Sequence, residues 1–475
     1  MPSQFGAVIL AAGLGKRMRS KLPKVLHEIA GKPLLYHVLK RVQEVAPHAP
    51  IGIVVGYARE SVEAYIRQEP QFSKMQITFI FQSEQKGTGH AAQCAMESSW
   101  GKYCLKEKLP ILVLPGDLPL ISTQLLEAMT VPLKKGEGLR LLTCELAEPT
   151  GYGRVIRAQS NVLRIVEEKD ANPKERMIRE VAVSIYFFDV SYLSWSLGKL
   201  SNKNAQGEYY LTDTIELAKK AKKTVAPYSW KNTDELRGVN DLWELCQAGK
   251  LLNESILRKW AILGVRFMDP SSTWIDATVE LTAGVRVASG AILSGMTRVG
   301  ADTEIGSGVV LKDVVVGEQV TIKVGTVAEK SQIGSNSNLG PYAHLRPESV
   351  VGSHVKIGNF VELKKARVGD NTSIAHLSYV GDAEIGKNVN IGCGFVTCNF
   401  DGRKIDGNRK HKTVIEDEVF LGSDCQTVAP VKVGKGAYVA SGSTITEDVP
   451  SQALAIARSR QVNKLGYAEK LRDSK

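Results

Sequence analysis

Between Val8 and Leu26 the chain reads VILAAGLGKRMRSKLPKVL. Its apolar start has the look of a buried strand. That strand opens onto Gly13 and Gly15 and then onto Lys16, Arg17, Arg19, Lys21 and Lys24. Glycines let backbone N–H groups come close to a ligand, and a positive loop at the carboxyl end of a strand suits phosphate. Cations in such a loop, Arg17 and Lys24 among them, can neutralise the charge of a bound phosphate. Taken alone, the stretch also fits a solvated basic loop. Further on, ILVLPGDLPL sets Asp117 at the end of a second apolar run. A carboxylate there suits Mg²⁺, which prefers one or two carboxylates together with phosphate oxygens. An isolated Gly-Asp would otherwise read as a turn.

Two kinds of element must position these groups. Up to about residue 230, short apolar runs alternate with amphipathic ones. Candidate strands are Ala7–Leu10, Ile51–Val55, Ile77–Phe81, Ile111–Leu114, Leu139–Thr143 and Val181–Phe188, and candidate helices include Pro33–Val45 and Gly89–Met96. The alternation predicts an α/β, Rossmann-like domain with a mostly parallel sheet, whose ligands gather at the strands' carboxyl ends. Asp241–Leu263 reads as a joining helix.

From residue 275 the period becomes six. Ile275, Leu281, Val287, Leu293, Val299, Ile305 and Leu311 follow one another at that spacing. Four residues behind them stand Val279, Val285, Ala291, Thr297, Thr303, Val309 and Val315, all small or β-branched. A second run is Ile333, Leu339, Leu345, Val351, Ile357 and Leu363. Shorter ones are Val368–Ile374–Val380 and Val433–Val439–Ile445. This period suits neither a helix nor a flat sheet. It predicts a parallel β-helix of hexapeptide repeats, in which each side of a rung sends one aliphatic residue inward. A stacked solenoid has broad faces to cover, so an oligomer is expected. The expected domains are 1–238, a linker helix over 239–263, and the β-helix with a tail over 264–475.

The chain has 475 residues, a length that calls for more than one core. Its apolar content of 43% and charged content of 23% are those of an ordinary globular protein. The net charge of +11 is spread along the chain without a polybasic block. It therefore speaks for anionic small molecules, with no nucleic acid partner expected. Seven cysteines at wide spacing, without a CxxC pair, argue for a reducing, cytoplasmic setting and against a disulfide framework or a zinc site. No stretch has the length of a membrane span, and no membrane partner is expected.

The opening pattern can be written L-x-x-G-x-G-x-R-M-x-x-x-x-P-K, with Leu10, Gly13, Gly15, Arg17, Met18, Pro23 and Lys24. It resembles the sugar nucleotidyltransferase family. With the hexapeptide region behind it, nearly the whole chain resembles the bifunctional UDP-N-acetylglucosamine pyrophosphorylase / glucosamine-1-phosphate N-acetyltransferase family. GTGHA (Gly87–Ala91), IVEEKDA (Ile165–Ala171), NAQGEYYLTD (Asn204–Asp213) and NFVELKKARVG (Asn359–Gly369) carry the resemblance. It implies a left-handed β-helix, a homotrimer, Mg²⁺ as cofactor, and UTP and acetyl-CoA as co-substrates. It implies glucosamine-1-phosphate and N-acetylglucosamine-1-phosphate as sugar substrates and a role in bacterial envelope synthesis.

By the same resemblance, Leu10, Ala11, Ala12, Gly13, Lys24, Gln82, Gly87, Thr88 and Gly116 would hold the uridine nucleotide. Asp117 and Asn240 would hold the metal, and Gly153 and Glu167 would line the sugar site. His376 would be the base of acetyl transfer. Arg346, Lys364, Tyr379 and Asn390 would bind the sugar phosphate. Cys393, Asn399, Phe400, Ser423, Ser441 and Arg458 would border acetyl-CoA. An amine must lose its proton before it attacks a thioester, and imidazole exchanges protons near neutral pH. Without the resemblance, His376 would read as a structural or surface histidine.

The chain departs from the family pattern in places. Pro115-Gly116-Asp117 stands for Tyr-Gly-Asp. Glu180-Val181-Ala182-Val183-Ser184 stands for Glu-(Ile/Val)-Asn-Thr-Gly, and Ala182 cannot make the hydrogen bond to the N-acetyl group that the family's Asn makes. Cys393, Phe400 and Ser441 replace Ala, Tyr and Ala, and the loop Asp401–Thr413 is longer than usual. The competing expectations are a pyrophosphorylase for another sugar, with the β-helix serving assembly or regulation, and a non-catalytic subunit of the same architecture.

Overall fold

A computed structural model of the chain describes residues 5–13, 15–402 and 409–473. The chain divides into two compact units, one ending at Leu252 and the other starting at Asn253. The boundary falls within one helix, Leu242–Ile262, which coincides with the expected joining helix to within one residue at each end.

The first unit is built on a sheet. Its main path runs Thr224–Ser229, Glu137–Glu145, Glu180–Phe188, Ile111–Pro115, Gly6–Leu10, Ile51–Val55, Ile77–Phe81. The last four are parallel neighbours and nearly all apolar, as strands covered on both faces must be. Helix Leu34–Val45 buries Leu35, Val38, Leu39 and Val42 on one side of the sheet, and helix Thr88–Glu97 buries Ala91, Ala92 and Ala95 on the other. The expected mostly parallel sheet is thus parallel on one side. Glu180–Phe188, however, runs antiparallel to both of its neighbours on the path. The reason lies in its connection. Between Glu137–Glu145 and this strand the chain inserts the hairpin Gly153–Ala158/Asn161–Val166, whose first strand also pairs antiparallel with it, in place of the long helix that returns the chain for a parallel pair.

The second unit consists of three parallel sheets of 11, 10 and 9 strands, most of them two or three residues long. Most strands pair with one 17 or 18 residues later, as in Ile275↔Leu293 and Leu311↔Ala328, and the pairs that span the loop after Phe400 are 30 apart, as in Asn390↔Phe420. Successive strands therefore fall on different sheets, which is the β-helix that the six-residue period predicts. The aliphatic residues of both long runs are buried in one continuous core. The glycine behind many of them has a spatial reason. At Gly334 a Cβ would stand 2.5 Å from the carbonyl carbon of Gly352 on the next rung. One expected position differs. Val315 is exposed, and Val314 and Val316 are the buried residues there. The rung is one residue short after Leu311, so the inward register slips by one.

Candidate active sites

The first site forms where the parallel strands end. Gly6–Leu10 delivers Leu10 to Gly13 to the rim of a cavity of about 620 Å³. Gly15 turns the loop with φ +58°, and a Cβ there would meet Lys24 Cβ at 2.8 Å, so only glycine lets the loop pack against Lys24. Met18, buried, anchors the short helical turn Lys16–Met18 and leaves Arg17 exposed, away from the cavity wall. Lys24 follows Pro23 into the cavity. Its ammonium is ion-paired with Asp117 and stands 3.4 Å from Asn240 Oδ1. The Asn240 segment is tied to the same place, because Val239 N donates to Asp117 O at 3.0 Å.

The far side of the cavity comes from later in the chain. Gln82 donates to Gly87 O at 3.3 Å and meets His90 Nδ1 at 3.0 Å. Gly87, at φ +100°, would place a Cβ 2.6 Å from Tyr209 O. Tyr209 in turn is clamped by backbone hydrogen bonds to Lys86 and Gly89, both 2.8 Å. Thr88 Oγ1 accepts from Leu211 N at 3.2 Å. These contacts close residues 206–212 over the cavity, where Gln206, Glu208, Tyr210 and Thr212 join the wall. Thr212 donates to Glu167 at 2.9 Å, yet burial pushes the Glu167 carboxyl above its ordinary value. Burial and then the charge of Glu167 push Asp213 up to about 6.

Ten of the expected nucleotide and sugar residues therefore line one cavity: Leu10, Ala11, Ala12, Gly13, Lys24, Gln82, Gly87, Thr88, Asp117 and Glu167. Gly116, Gly153, Asn240 and Arg17 are not on its wall. Gly116 packs against Ala11 and Val25, and Gly153 lies 3.5 Å, measured from an added Cβ, from both Glu167 oxygens. Ala182 is buried and paired with Thr143 and Gly153. Sequence reasoning missed Gln85, Ser184, Tyr186 and the 206–212 segment. The stretch NAQGEYYLTD, part of the family resemblance, is the sequence signal for the last of these.

Asp117 and Asn240 present one carboxylate and one amide oxygen around the Lys24 ammonium. Among the described residues no group of three His, Cys, Asp or Glu side chains could hold a metal. Such a sparse set suits an ion that takes its other ligands from phosphate and water.

The second site is a row on the β-helix. His376 ends strand Ser373–His376 and is exposed, with Nδ1 2.7 Å from Asn359 Oδ1 on the rung before. The chain turns at Leu377 and re-enters the neighbouring sheet with Tyr379–Gly381. There Arg346 donates to Glu362 at 2.9 Å, which raises the guanidinium's affinity for its proton. Lys364 Nζ lies 3.9 Å from Asp382, and Asn399 donates to the same carboxylate at 2.5 Å. A Cβ on Gly381 would touch both Tyr379 OH and Asn399 Nδ2. Arg346, Lys364, Tyr379 and Asn399 are thus gathered on adjacent rungs of one sheet. Asn390 stands on the sheet of His376, paired with Ser373 and Phe420.

The remaining expected residues stack at one corner. A Cβ on Gly392 would meet Ser423 N, one on Gly422 would meet Ser441 Oγ, and one on Gly442 would come 3.6 Å from Arg458 Cδ. Cys393 O accepts from Asp424 N at 2.6 Å. Phe400 is exposed, with Lys410 Nζ 4.4 Å from its ring centre. Part of the long loop, residues 403–408, lies outside the described residues.

A model of the nucleotidyl transferase family matches residues 6–261, and a model of the GMPPB C-terminal domain matches residues 275–368. The protein named Bifunctional protein GlmU of Geobacillus sp. is 43% identical over 467 residues, which is 98% of this chain and 98% of that protein. Its namesake in Brevibacillus brevis is 43% identical over 99% of this chain and 98% of its own length. The one in Listeria monocytogenes is 43% identical over 99% of both.

Proposed function

The chain belongs to the bifunctional GlmU family, and from that premise we propose which of its residues carry each of its two activities. The enzyme acetylates the amine of glucosamine-1-phosphate from acetyl-CoA. It then transfers a uridylyl group from UTP to N-acetylglucosamine-1-phosphate and releases pyrophosphate. The product, UDP-N-acetylglucosamine, feeds cell-wall synthesis.

For uridylyl transfer, the backbone from Leu10 to Gly13 and the Gln82–Thr88 segment hold the nucleotide. A sugar phosphate oxygen attacks the α-phosphorus, and the bond to pyrophosphate breaks in line. Lys24 sits where it can neutralise the departing charge, and Arg17, exposed on the neighbouring turn, would have to swing inward to add its charge. Asp117 and Asn240 would hold the divalent ion, Mg²⁺ in this reading, which neutralises phosphate charge. Glu167 and Gly153 border the sugar. For acetyl transfer, His376 takes the amine proton as nitrogen attacks the thioester carbon and the CoA thiolate leaves. Asn359 orients the imidazole through Nδ1. Arg346, Lys364, Tyr379 and Asn390 bind the sugar phosphate, and the corner of Cys393, Ser423, Ser441 and Arg458, with Asn399 and Phe400, borders acetyl-CoA.

The observation that supports the uridylyl-transfer assignment is the convergence of ten of the expected residues on a single cavity. We further read the chain as a cytoplasmic homotrimer. Tyr342, Phe360 and Leu377 support association of copies, since they stand exposed on successive rungs beside His376, the first two with stacked rings. Sedimentation of the purified chain tests the trimer. The activities are tested by giving it glucosamine-1-phosphate, acetyl-CoA, UTP and Mg²⁺ and reading products by mass. UDP-N-acetylglucosamine is expected. Accumulation of N-acetylglucosamine-1-phosphate alone would refute the assigned acceptor of the first site.

A further inference from the structure

Strand Glu180–Phe188 has one exposed residue, Ser184, among eight that are buried or half-buried. It lies in a bulge, because the pairing with Glu137–Glu145 loses register between Ala182 and Tyr186. Its φ is +58°, in the left-handed region where glycine would sit without strain. A residue with a Cβ held there, on the wall of a ligand cavity, points to a use for its side chain.

The chemistry of the cavity narrows that use. One part of its lining, the Leu10–Gly13 backbone with Lys24 and Asp117, suits phosphates. Another part is Glu167, Ser184, Tyr186 and Thr212. There the Glu167 carboxylate already accepts from Thr212. Tyr186 is buried and shares this part of the wall with Ser184. Ala182, two residues earlier, is buried and has no polar side-chain atom to offer. The Ser184 hydroxyl is exposed and can both donate and accept, which matches an amide carrying one N–H and one C=O.

We propose that Ser184 is a specificity-determining residue of the uridylyl-transfer site, its hydroxyl hydrogen-bonding the 2-acetamido group of the acceptor sugar phosphate. This rests on the reading that the cavity takes N-acetylglucosamine-1-phosphate as acceptor.

The test uses the full chain and its Ser184→Ala and Ser184→Gly variants. Uridylyl transfer is measured at saturating UTP with N-acetylglucosamine-1-phosphate and, separately, with glucose-1-phosphate. In both variants the preference for the acetamido sugar is expected to fall about tenfold, the worth of one net hydrogen bond. The fall should come through KM for that sugar, with KM for UTP unchanged. Because Ser184→Gly also removes the backbone strain, it should fold at least as well as the parent. An unchanged preference in both variants overturns the proposal. So does a loss in Ser184→Ala that Ser184→Gly restores, which would assign the effect to the backbone. A parent enzyme that does not use N-acetylglucosamine-1-phosphate at all would instead overturn the functional reading on which the proposal rests.

Discussion

The two sites are built in opposite ways. The first is enclosed. Its wall includes Gln82, Tyr186, Leu211 and Thr212, all buried, and the wall closes because backbone hydrogen bonds pull residue 209 against residues 86 and 89. The second is an open row in which His376, Leu377 and Phe400 face solvent and each side chain is placed by its rung. Loops from distant parts of the chain make the first site, and the stacking register of a repeat makes the second. An enclosed site can be spoiled by one misplaced loop. A register site stands or falls with the aliphatic core beneath it.

The sharpest break in that comparison separates the activities. His376→Ala should lower CoA release by about 10²–10⁴-fold, the usual worth of a general base, and leave pyrophosphate release from N-acetylglucosamine-1-phosphate intact. Asp117→Ala should do the reverse, with a loss of pyrophosphate release of about 10²–10³-fold. Coupled assays for CoA thiol and pyrophosphate on each variant decide this, and a loss of both activities in either one would contradict independent sites. Next comes the core of the β-helix. Leu363 is fully buried, and Leu363→Ala should cost about 2–5 kcal/mol. Acetyl transfer should then fail at lower urea than in the parent, while pyrophosphate release keeps its midpoint.

A smaller effect is expected where the first site closes. Gly87→Ala puts a Cβ against Tyr209 O at a φ that disfavours it, so the 206–212 segment must shift. KM for UTP should rise by about tenfold, as for the loss of one or two polar contacts, with acetyl transfer unaffected. Steady-state kinetics with UTP varied would expose an unchanged KM. The smallest effect is electrostatic. Asp213 has its carboxyl raised to about 6 by burial and by Glu167, against an ordinary value of 3.8. The folded chain then holds a proton that the unfolded chain has released. The stabilisation from this group is therefore present in acid and lost as pH rises through about 6. Thermal unfolding of Asp213→Asn between pH 5 and 8 should show a flatter pH dependence than the parent, and equal slopes would remove Asp213 from the account.

Much of this was legible beforehand, for a physical reason in each case. The strand Ile111–Pro115 is a run of apolar residues, and covered parallel strands leave no room for anything else. The β-helix announces itself because each rung repeats the same demand for an aliphatic residue. The antiparallel course of Glu180–Phe188 was not legible, since it depends on how the chain between residues 145 and 180 pairs and not on the strand's own residues. The exposure of Val315 was missed for a similar reason, because a single shortened rung reverses which neighbour points inward. The cavity wall at 206–212 escaped because its place is set by hydrogen bonds to residues more than a hundred positions away.

By itself the sequence determined the two architectures, the glycine- and lysine-bearing loop at the first strand's end, and the inward aliphatic set of the solenoid, because all of these follow from local periodicity and residue chemistry. Only the tertiary structure decided that Lys24 pairs with Asp117 beside Asn240, that Arg17 faces outward, that Ser423, Ser441 and Arg458 share one corner, and that Ser184 stands exposed in a bulge on the cavity wall. Those are relations between residues far apart in the chain, and they exist only once long-range pairing has fixed the distances between them.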